Sequence, residues 1–240
     1  YDTLFRRQCQ KHGYDFEDVA DQQPKIEDTI ALGLELMEGN SIAMHPEVTR
    51  LANLSAKRQS DATARAFTPF DLMPDNIVLA QRVFFLDYEW AGFRDIAFDV
   101  ACVMAGFPQD LTTPALNDQE TAEFLDAWRA EVVHYWPEFR DDAYFNEVLV
   151  ASLVAWAFFS LALLYYGSDK VNDLREFDIE VDDLKKLTTA QLIDLATTVD
   201  AVLRFTVGLG EERFAPVIEL AENLLAALAP LGAHPQRRED

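Results

Sequence analysis

The stretch DLMPDNIVLAQRVFFLD, residues 71–87, decides the fold prediction for this chain. It contains two apolar, β-prone runs, residues 77–79 and 83–86, on either side of the more polar pair Gln81-Arg82. Two short runs separated by a polar pair are typical of an antiparallel hairpin with a tight loop. The stretch therefore predicts a small hairpin with its loop at Gln81-Arg82.

Polar residues lie at the open end of this predicted hairpin. A two-residue loop at Gln81-Arg82 places Asn76 opposite Asp87, and the Cβ atoms of such neighbours are about 5 Å apart. Asp71 precedes Asn76 in a segment that Pro74 interrupts, which predicts an irregular loop that curls back over the same place. We therefore expect two carboxylates and one amide to converge.

This set of oxygen donors suits one metal ion in particular. Mg²⁺ is typically held by one or two protein carboxylates, while water and substrate phosphates fill its other positions. The residues themselves thus indicate a magnesium site that handles phosphate.

Residues 71–76 and 86–93 resemble the aminoglycoside phosphotransferase and choline/ethanolamine kinase family, small-molecule relatives of the protein kinases. That family carries His-x-Asp-x-x-x-x-Asn, then Ile-Asp-Trp/Tyr-Glu, then Gly-Asp-Pro-x-x-Asp-Leu-Ala. Residues 95–101, DIAFDVA, stand in the place of the third block. Three blocks in order are a far more specific pattern than a single Asp-x-x-x-x-Asn.

The resemblance implies a role for each matching residue. Asp71 would be the catalytic base that orients the acceptor hydroxyl, Asn76 and Asp87 would bind Mg²⁺, and Asp99 would brace the catalytic loop. Glu89 lies two residues after Asp87 on the same side of an extended strand, so it either faces a metal or an acceptor ammonium or makes a structural hydrogen bond.

The implied activity is ATP-dependent phosphorylation of a hydroxyl on a small, amine-bearing acceptor: choline, ethanolamine, an amino sugar or an aminoglycoside. Mg²⁺ and ATP are the implied cofactors. The alternative is a kinase-like binding module without catalysis.

Two departures from the family pattern keep that alternative open. Where the family has His two residues before the catalytic Asp, this chain has Pro69. Upstream of Asp71 the sequence has no Gly-x-Gly-x-x-Gly and no Lys in an apolar strand. Kinases need both, because the Gly-rich loop covers the ATP phosphates and the strand Lys binds them. Because the chain starts at Tyr1 rather than Met, we expect a nucleotide lobe before Tyr1, and we expect this chain alone to be inactive.

Composition bounds the remaining function classes. The 240 residues are 50% hydrophobic with no linker-like stretch, which predicts one domain with a sizeable core. The formal net charge of −22 argues against a nucleic-acid partner and is compatible with a cationic acceptor, although acidic surfaces also serve solubility.

Two cysteines and no secretory signal predict a reduced, cytoplasmic protein. The oligomeric state is left open.

The fold class expected from these patterns is mainly α with a small β-hairpin, as in the helical C-terminal lobe of a protein-kinase-like fold. Residues 1–232 would form this lobe, residues 67–101 would hold the catalytic loop and metal hairpin, and residues 233–240 would be a disordered polar tail.

Residues 148–166 carry no charge and are long enough to span a membrane, but their acidic flanks and small residues favour a buried core helix.

Overall fold

The structure is a computed structural model that describes residues 2–14, 25–40, 42–61, 64–88, 90–106, 115–167 and 187–237. It is mostly helical with two small antiparallel sheets, which confirms the mainly α class with a β-hairpin. In chain order the larger elements are α1 (Asp2–His12), α2 (Ile26–Gly39), α3 (Pro46–Ser60), β1 (Arg65–Thr68), β2 (Ile77–Leu79), β3 (Val83–Phe85), β4 (Gly92–Asp95), α4 (Ile96–Ala105), α5 (Asp118–Val132), α6 (Asp142–Tyr166), α7 (Thr189–Leu209) and α8 (Ala215–Leu228).

Helix α6 is the centre of the core, and helices α2, α3, α4 and α7 pack around it. The helix begins at Asp142, before the uncharged run. At this end the Asp141 side chain accepts a hydrogen bond from the Tyr144 N–H (2.8 Å) and so caps the helix. It ends at Gly167, whose φ of +82° an L-residue rarely adopts. A helix that is apolar on all sides must be covered on all sides, and most of α6 is buried.

Among the described residues, two helical stretches have the length and composition of a membrane span. One is Asp142–Tyr166, which is 83% buried inside the protein over its most apolar window, and the other is Glu212–Leu231, which is 33% buried. A core helix of a globular protein passes the same test, so this is weak evidence for a span.

Strand β4 pairs with β1 in a two-stranded antiparallel sheet that the sequence analysis did not predict. The pairing sets Ala66 opposite Arg94 and Thr68 opposite Gly92. All four residues of β4 are buried, so the segment lacks the alternation of polar and apolar residues that marks a half-buried strand. This sheet joins the start of the loop that contains Asp71 to the start of α4.

The predicted hairpin forms from β2 and β3, but its predicted register is wrong by one residue. Ile77 faces Phe85 and Leu79 faces Val83, so the loop contains three residues, 80–82, and Asn76 faces Leu86 rather than Asp87. Two-residue loops require residues that tolerate positive φ, usually Gly or Asn, and Gln81-Arg82 offers neither.

A buried ion pair fixes helix α3 to the start of α4. Arg58 donates to Asp95 through two nitrogens, at 2.9 and 2.8 Å, and through a third to the Tyr144 hydroxyl at 2.9 Å. Asp95 also caps α4, because its side chain accepts from the Ala97 N–H. A bidentate pair of this kind fixes the relative orientation of its two side chains and also stabilises the fold. Here it orients β4 and α4 relative to the loop that contains Asp71.

Residues 233–237, which we expected to belong to a disordered polar tail, contact helix α7 in the structure. Ala233 is buried, and the Gln236 N–H donates to Thr197 Oγ1 at 3.0 Å. Arg237 pairs with Asp200 of α7 at 2.9 and 2.5 Å. Asp200, which is almost fully buried, gives this segment an anionic partner. Residues 238–240 lie outside the described residues.

Candidate active site

Asp71 lies in a tight turn directly after β1. The preceding residue, Phe70, has a φ of +68°, an uncommon conformation for a non-glycine residue, and its buried ring packs on Phe98, Trp156 and Phe159. The Asp71 N–H donates to the Pro69 carbonyl at 2.9 Å. With the Phe70 ring held in the core, Asp71 is placed at the half-buried edge of the site.

Backbone hydrogen bonds bring Asn76 and Asp87 to the same end of the hairpin. The Asn76 carbonyl accepts from the Leu86 N–H at 2.7 Å, which extends the ladder one step beyond β2 and β3. Asp87 follows at once, with a φ of +50° that ends the strand conformation. Although they are not a facing pair, Asn76 and Asp87 remain neighbours at the hairpin mouth.

Electrostatic interactions show that Asp71 is close to this pair. Burial raises the pKa of Asp71, and the negative charges of Asp75 and Asp87 raise it further. Hydrogen bonds from the Met73 N–H and from the Asn76 side chain act in the opposite direction. The structure therefore brings Asp71, Asn76 and Asp87 together, and it adds Asp75, to which the sequence analysis assigned no role.

Asp99 lies beneath the loop, on α4. It is 6% exposed, and burial raises its pKa, while the charge of Arg94 and hydrogen bonds from the Thr68 hydroxyl and the Phe70 N–H lower it. Its carboxylate therefore lies near Thr68 and Phe70, which precede Asp71, although its Oδ1 has no hydrogen-bond partner in the described structure. This position suits support of the loop better than contact with a substrate.

Arg94 is a site residue that the sequence analysis missed. It is a buried residue of β4, and it donates to the Thr68 hydroxyl and to the Trp90 carbonyl. A signal existed in the sequence: Arg94 is the one basic residue among the apolar and acidic residues 92–101, and a charge inside a core segment needs partners.

Two further sets of residues do not add to the site. Glu89 lies outside the described residues. Large aromatic residues, which could form a box for a quaternary ammonium, do not gather at one place: Trp156 packs on Phe70 and Phe98 in the core, Trp128 packs on Phe139 and Phe145, and Tyr165 packs on Tyr166. Core packing accounts for these contacts.

The donor set fits a magnesium ion held by few protein ligands. Among the described residues, no group of three or more His, Cys, Asp or Glu side chains is placed to hold a metal ion. Asn76 and Asp87 would therefore be the protein ligands, and water and phosphate oxygens would fill the other positions. The Asn76 side chain lies near Asp71, where it lowers the pKa of that carboxyl, and an amide oxygen is a ligand that Mg²⁺ accepts. A cation would also relieve the repulsion between Asp71 and Asp87.

Comparisons with models of known protein families, with curated proteins and with solved structures found no match to this chain.

Proposed function

We propose that this protein takes part in ATP-dependent phosphorylation of a hydroxyl on a small, amine-bearing acceptor, and that it is built like the helical lobe of a kinase. The observation that carries the proposal is the grouping of Asp71, Asn76 and Asp87 at the hairpin mouth. The acceptors considered are choline, ethanolamine, an amino sugar and an aminoglycoside. The net charge of −22 supports a cationic acceptor through long-range attraction.

Each residue has a distinct task in this proposal. Asp71 accepts a hydrogen bond from the acceptor hydroxyl and takes its proton as the oxygen attacks the γ-phosphorus of ATP, whose bond to the bridging oxygen breaks to release ADP. Asn76 and Asp87 hold Mg²⁺, which supplies charge neutralisation at the phosphates when bound. Phe70, Asp99 and Thr68 keep the Asp71 turn in place.

The second candidate, a kinase-like binding module without catalysis, is supported by the described residues before Asp71. These residues form helices α1, α2 and α3 and strand β1, and β1 pairs with β4. Nothing in that described part has the form of a Gly-rich loop over phosphates or of a strand that bears a phosphate-binding Lys.

The first test measures metal binding by this chain. Mn²⁺, which accepts the same oxygen ligands, is titrated and followed by electron paramagnetic resonance. We expect Asp87→Asn to weaken Mn²⁺ binding by tenfold or more, because Asp87 is the one carboxylate among the two proposed ligands. Asp75→Asn removes a charge from the same turn without removing a proposed ligand, so it is the matched control and should change affinity less than threefold.

The second test measures turnover by the natural protein, supplied with Mg-ATP and a panel of hydroxylated amines. General-base catalysis contributes about 10²- to 10⁴-fold, so Asp71→Asn should lower kcat by at least about 10²-fold and leave Mn²⁺ affinity within threefold. Asp75→Asn is again the control. Metal binding without turnover of any acceptor would favour the binding module, and absence of both would refute the proposed site.

A further inference from the structure

Arg94 makes polar contacts on both sides of the candidate site. Its Nη1 donates to Thr68 Oγ1 at 2.9 Å, and its Nη2 donates to the Trp90 carbonyl at 2.6 Å. Its guanidinium carbon lies 4.3 Å from the centre of the Phe70 ring, within the range of a cation–π contact. The side chain is 2% exposed, so these contacts take place away from solvent.

The partners of Arg94 lie close in sequence to the two carboxylates of the candidate site. Thr68 and Phe70 lead directly into Asp71, and Trp90 follows shortly after Asp87. The planar guanidinium of Arg94 therefore links the segment that carries Asp71 to the segment that carries Asp87. Lysine lacks the forked donors that allow simultaneous contacts of this kind.

The burial of Arg94 is unfavourable by itself. Burial lowers its pKa to about 10, and the charge of Asp99 opposes that shift without a direct ion pair between the two side chains in the described structure. A buried charge without a close ionic partner costs more than an apolar side chain of the same size. Packing of the core therefore does not explain why an arginine lies here, whereas the link across the loop does.

We infer that Arg94 is a positioning residue that sets the separation of Asp71 and Asp87 by joining Thr68, Phe70 and Trp90. This inference rests on the proposed function, since it assigns Arg94 to the same site. Arg94 does not touch the reacting atoms. It acts through the backbone on either side of the two carboxylates.

The test compares Arg94→Met with Arg65→Met. Arg65 lies on β1 and donates across the same sheet to the Phe93 carbonyl at 2.6 Å, but it makes no contact with Thr68 or Trp90. It is therefore a control for the loss of one partly buried arginine hydrogen bond in this sheet. Arg94→Lys is the conservative variant, which keeps the charge and loses the forked geometry.

Three quantities are measured for each folded variant well below its unfolding temperature. These are amide hydrogen exchange at Met73 and Leu86, Mn²⁺ affinity, and kcat and KM for the acceptor. The two amides report the turn at Asp71 and the hairpin mouth, because Met73 N–H donates to Asp71 and Leu86 N–H donates to the Asn76 carbonyl.

We expect Arg94→Met to speed exchange at both amides by tenfold or more and to lower kcat by tenfold or more, with KM changed less than threefold. Arg94→Lys should not restore the wild-type values, and Arg65→Met should stay within threefold of wild type throughout. Wild-type exchange rates in Arg94→Met, or a loss in Arg65→Met as large as that in Arg94→Met, would overturn the inference.

Failure of the proposed function has a different signature. In that case the wild-type protein neither binds Mn²⁺ nor turns over any acceptor, whatever residue stands at position 94. The amide exchange rates at Met73 and Leu86 then test the role of Arg94 by themselves. Faster exchange in Arg94→Met supports a role for Arg94 in setting the loop geometry, and unchanged exchange refutes it.

Discussion

Helix α6 and the β2–β3 hairpin are both strongly apolar, yet they lie in opposite environments. Most side chains of α6 are buried by the surrounding helices. In the hairpin region, by contrast, apolar side chains are exposed in the described structure: Val78, Leu79, Val83, Phe84, Phe85 and Leu86. Apolar composition thus identified both elements, but within the described residues only the helix has neighbours that cover it.

The comparison separates two sources of order in the molecule. Around α6, order comes from burial and from buried polar pairs that the core surrounds. At the hairpin, order comes from backbone hydrogen bonds and from the attachment of its ends to β1 and β4. Substitutions in the first region should change the free energy of unfolding, whereas substitutions on the hairpin surface should not.

The largest effect is expected at Arg58. Arg58→Met leaves the Asp95 carboxylate, which is fully buried, without its cation, and loss of one partner of a buried pair costs about 3–5 kcal/mol. Urea unfolding measures the change. The control is Arg50→Met, because Arg50 pairs with Glu47 and Glu147 at an exposed site where about 1 kcal/mol or less is expected.

A double variant identifies the cause of that loss. Asp95→Asn removes the buried charge and keeps a side chain that can cap α4. If the unpaired carboxylate is the main cost, Arg58→Met/Asp95→Asn should be more stable than Arg58→Met alone. A double variant that is less stable than the single one would show that the cost has another origin.

The next effect is expected at Gly33 of α2, where this helix crosses α6. A Cβ atom at Gly33 would lie 2.1 Å from the Phe158 carbonyl oxygen, so Gly33→Ala forces the two backbones apart. Overpacking of this kind costs about 1–3 kcal/mol. Gly208→Ala is the matched control: no atom lies within 4 Å of its Cβ position, and alanine in a helix is favoured over glycine by about 0.5–1 kcal/mol. Equal midpoints in urea for the two variants would contradict the close helix crossing.

A smaller effect is expected at Arg237. Its partner Asp200 is 1% exposed, but Arg237 itself is 58% exposed, and Arg204 also donates to Asp200 at 3.1 Å. Arg237→Ala should therefore cost only about 0.5–1 kcal/mol. It should also speed amide exchange at Gln236, which donates to Thr197. Unchanged exchange at Gln236 would show that Arg237 does not hold this segment in place.

The parts of the fold that the sequence predicted are those set by local pattern. The uncharged run at residues 148–166 predicted a buried helix, and the two β-prone runs predicted a hairpin. The register of the hairpin depended on the loop, and Gln81-Arg82 carries no residue that selects a turn type. Local pattern thus predicted which elements form, but not how they align.

The remaining features depend on partners that are distant in sequence. Arg237 is ordered by Asp200, and Arg94 is buried because Thr68 and Trp90 accept its hydrogen bonds. Nothing in the local sequence around Arg237 marks it as different from any polar tail. At the candidate site, the spacing of Asp71, Asn76 and Asp87 was informative, because the residues lie on either side of one short hairpin.

The smallest effect is expected on the hairpin surface, and it tests the comparison most directly. Leu79 is 79% exposed, so Leu79→Ser removes little buried apolar area and should change the free energy of unfolding by less than about 0.5 kcal/mol. Leu149→Ala in α6 is the contrasting variant, because Leu149 is fully buried and such truncations cost about 2–5 kcal/mol. Urea unfolding of both gives the ratio of the two costs. A loss at Leu79 comparable to that at Leu149 would mean that another surface covers the hairpin in solution, and that the contrast between the two apolar segments does not hold there.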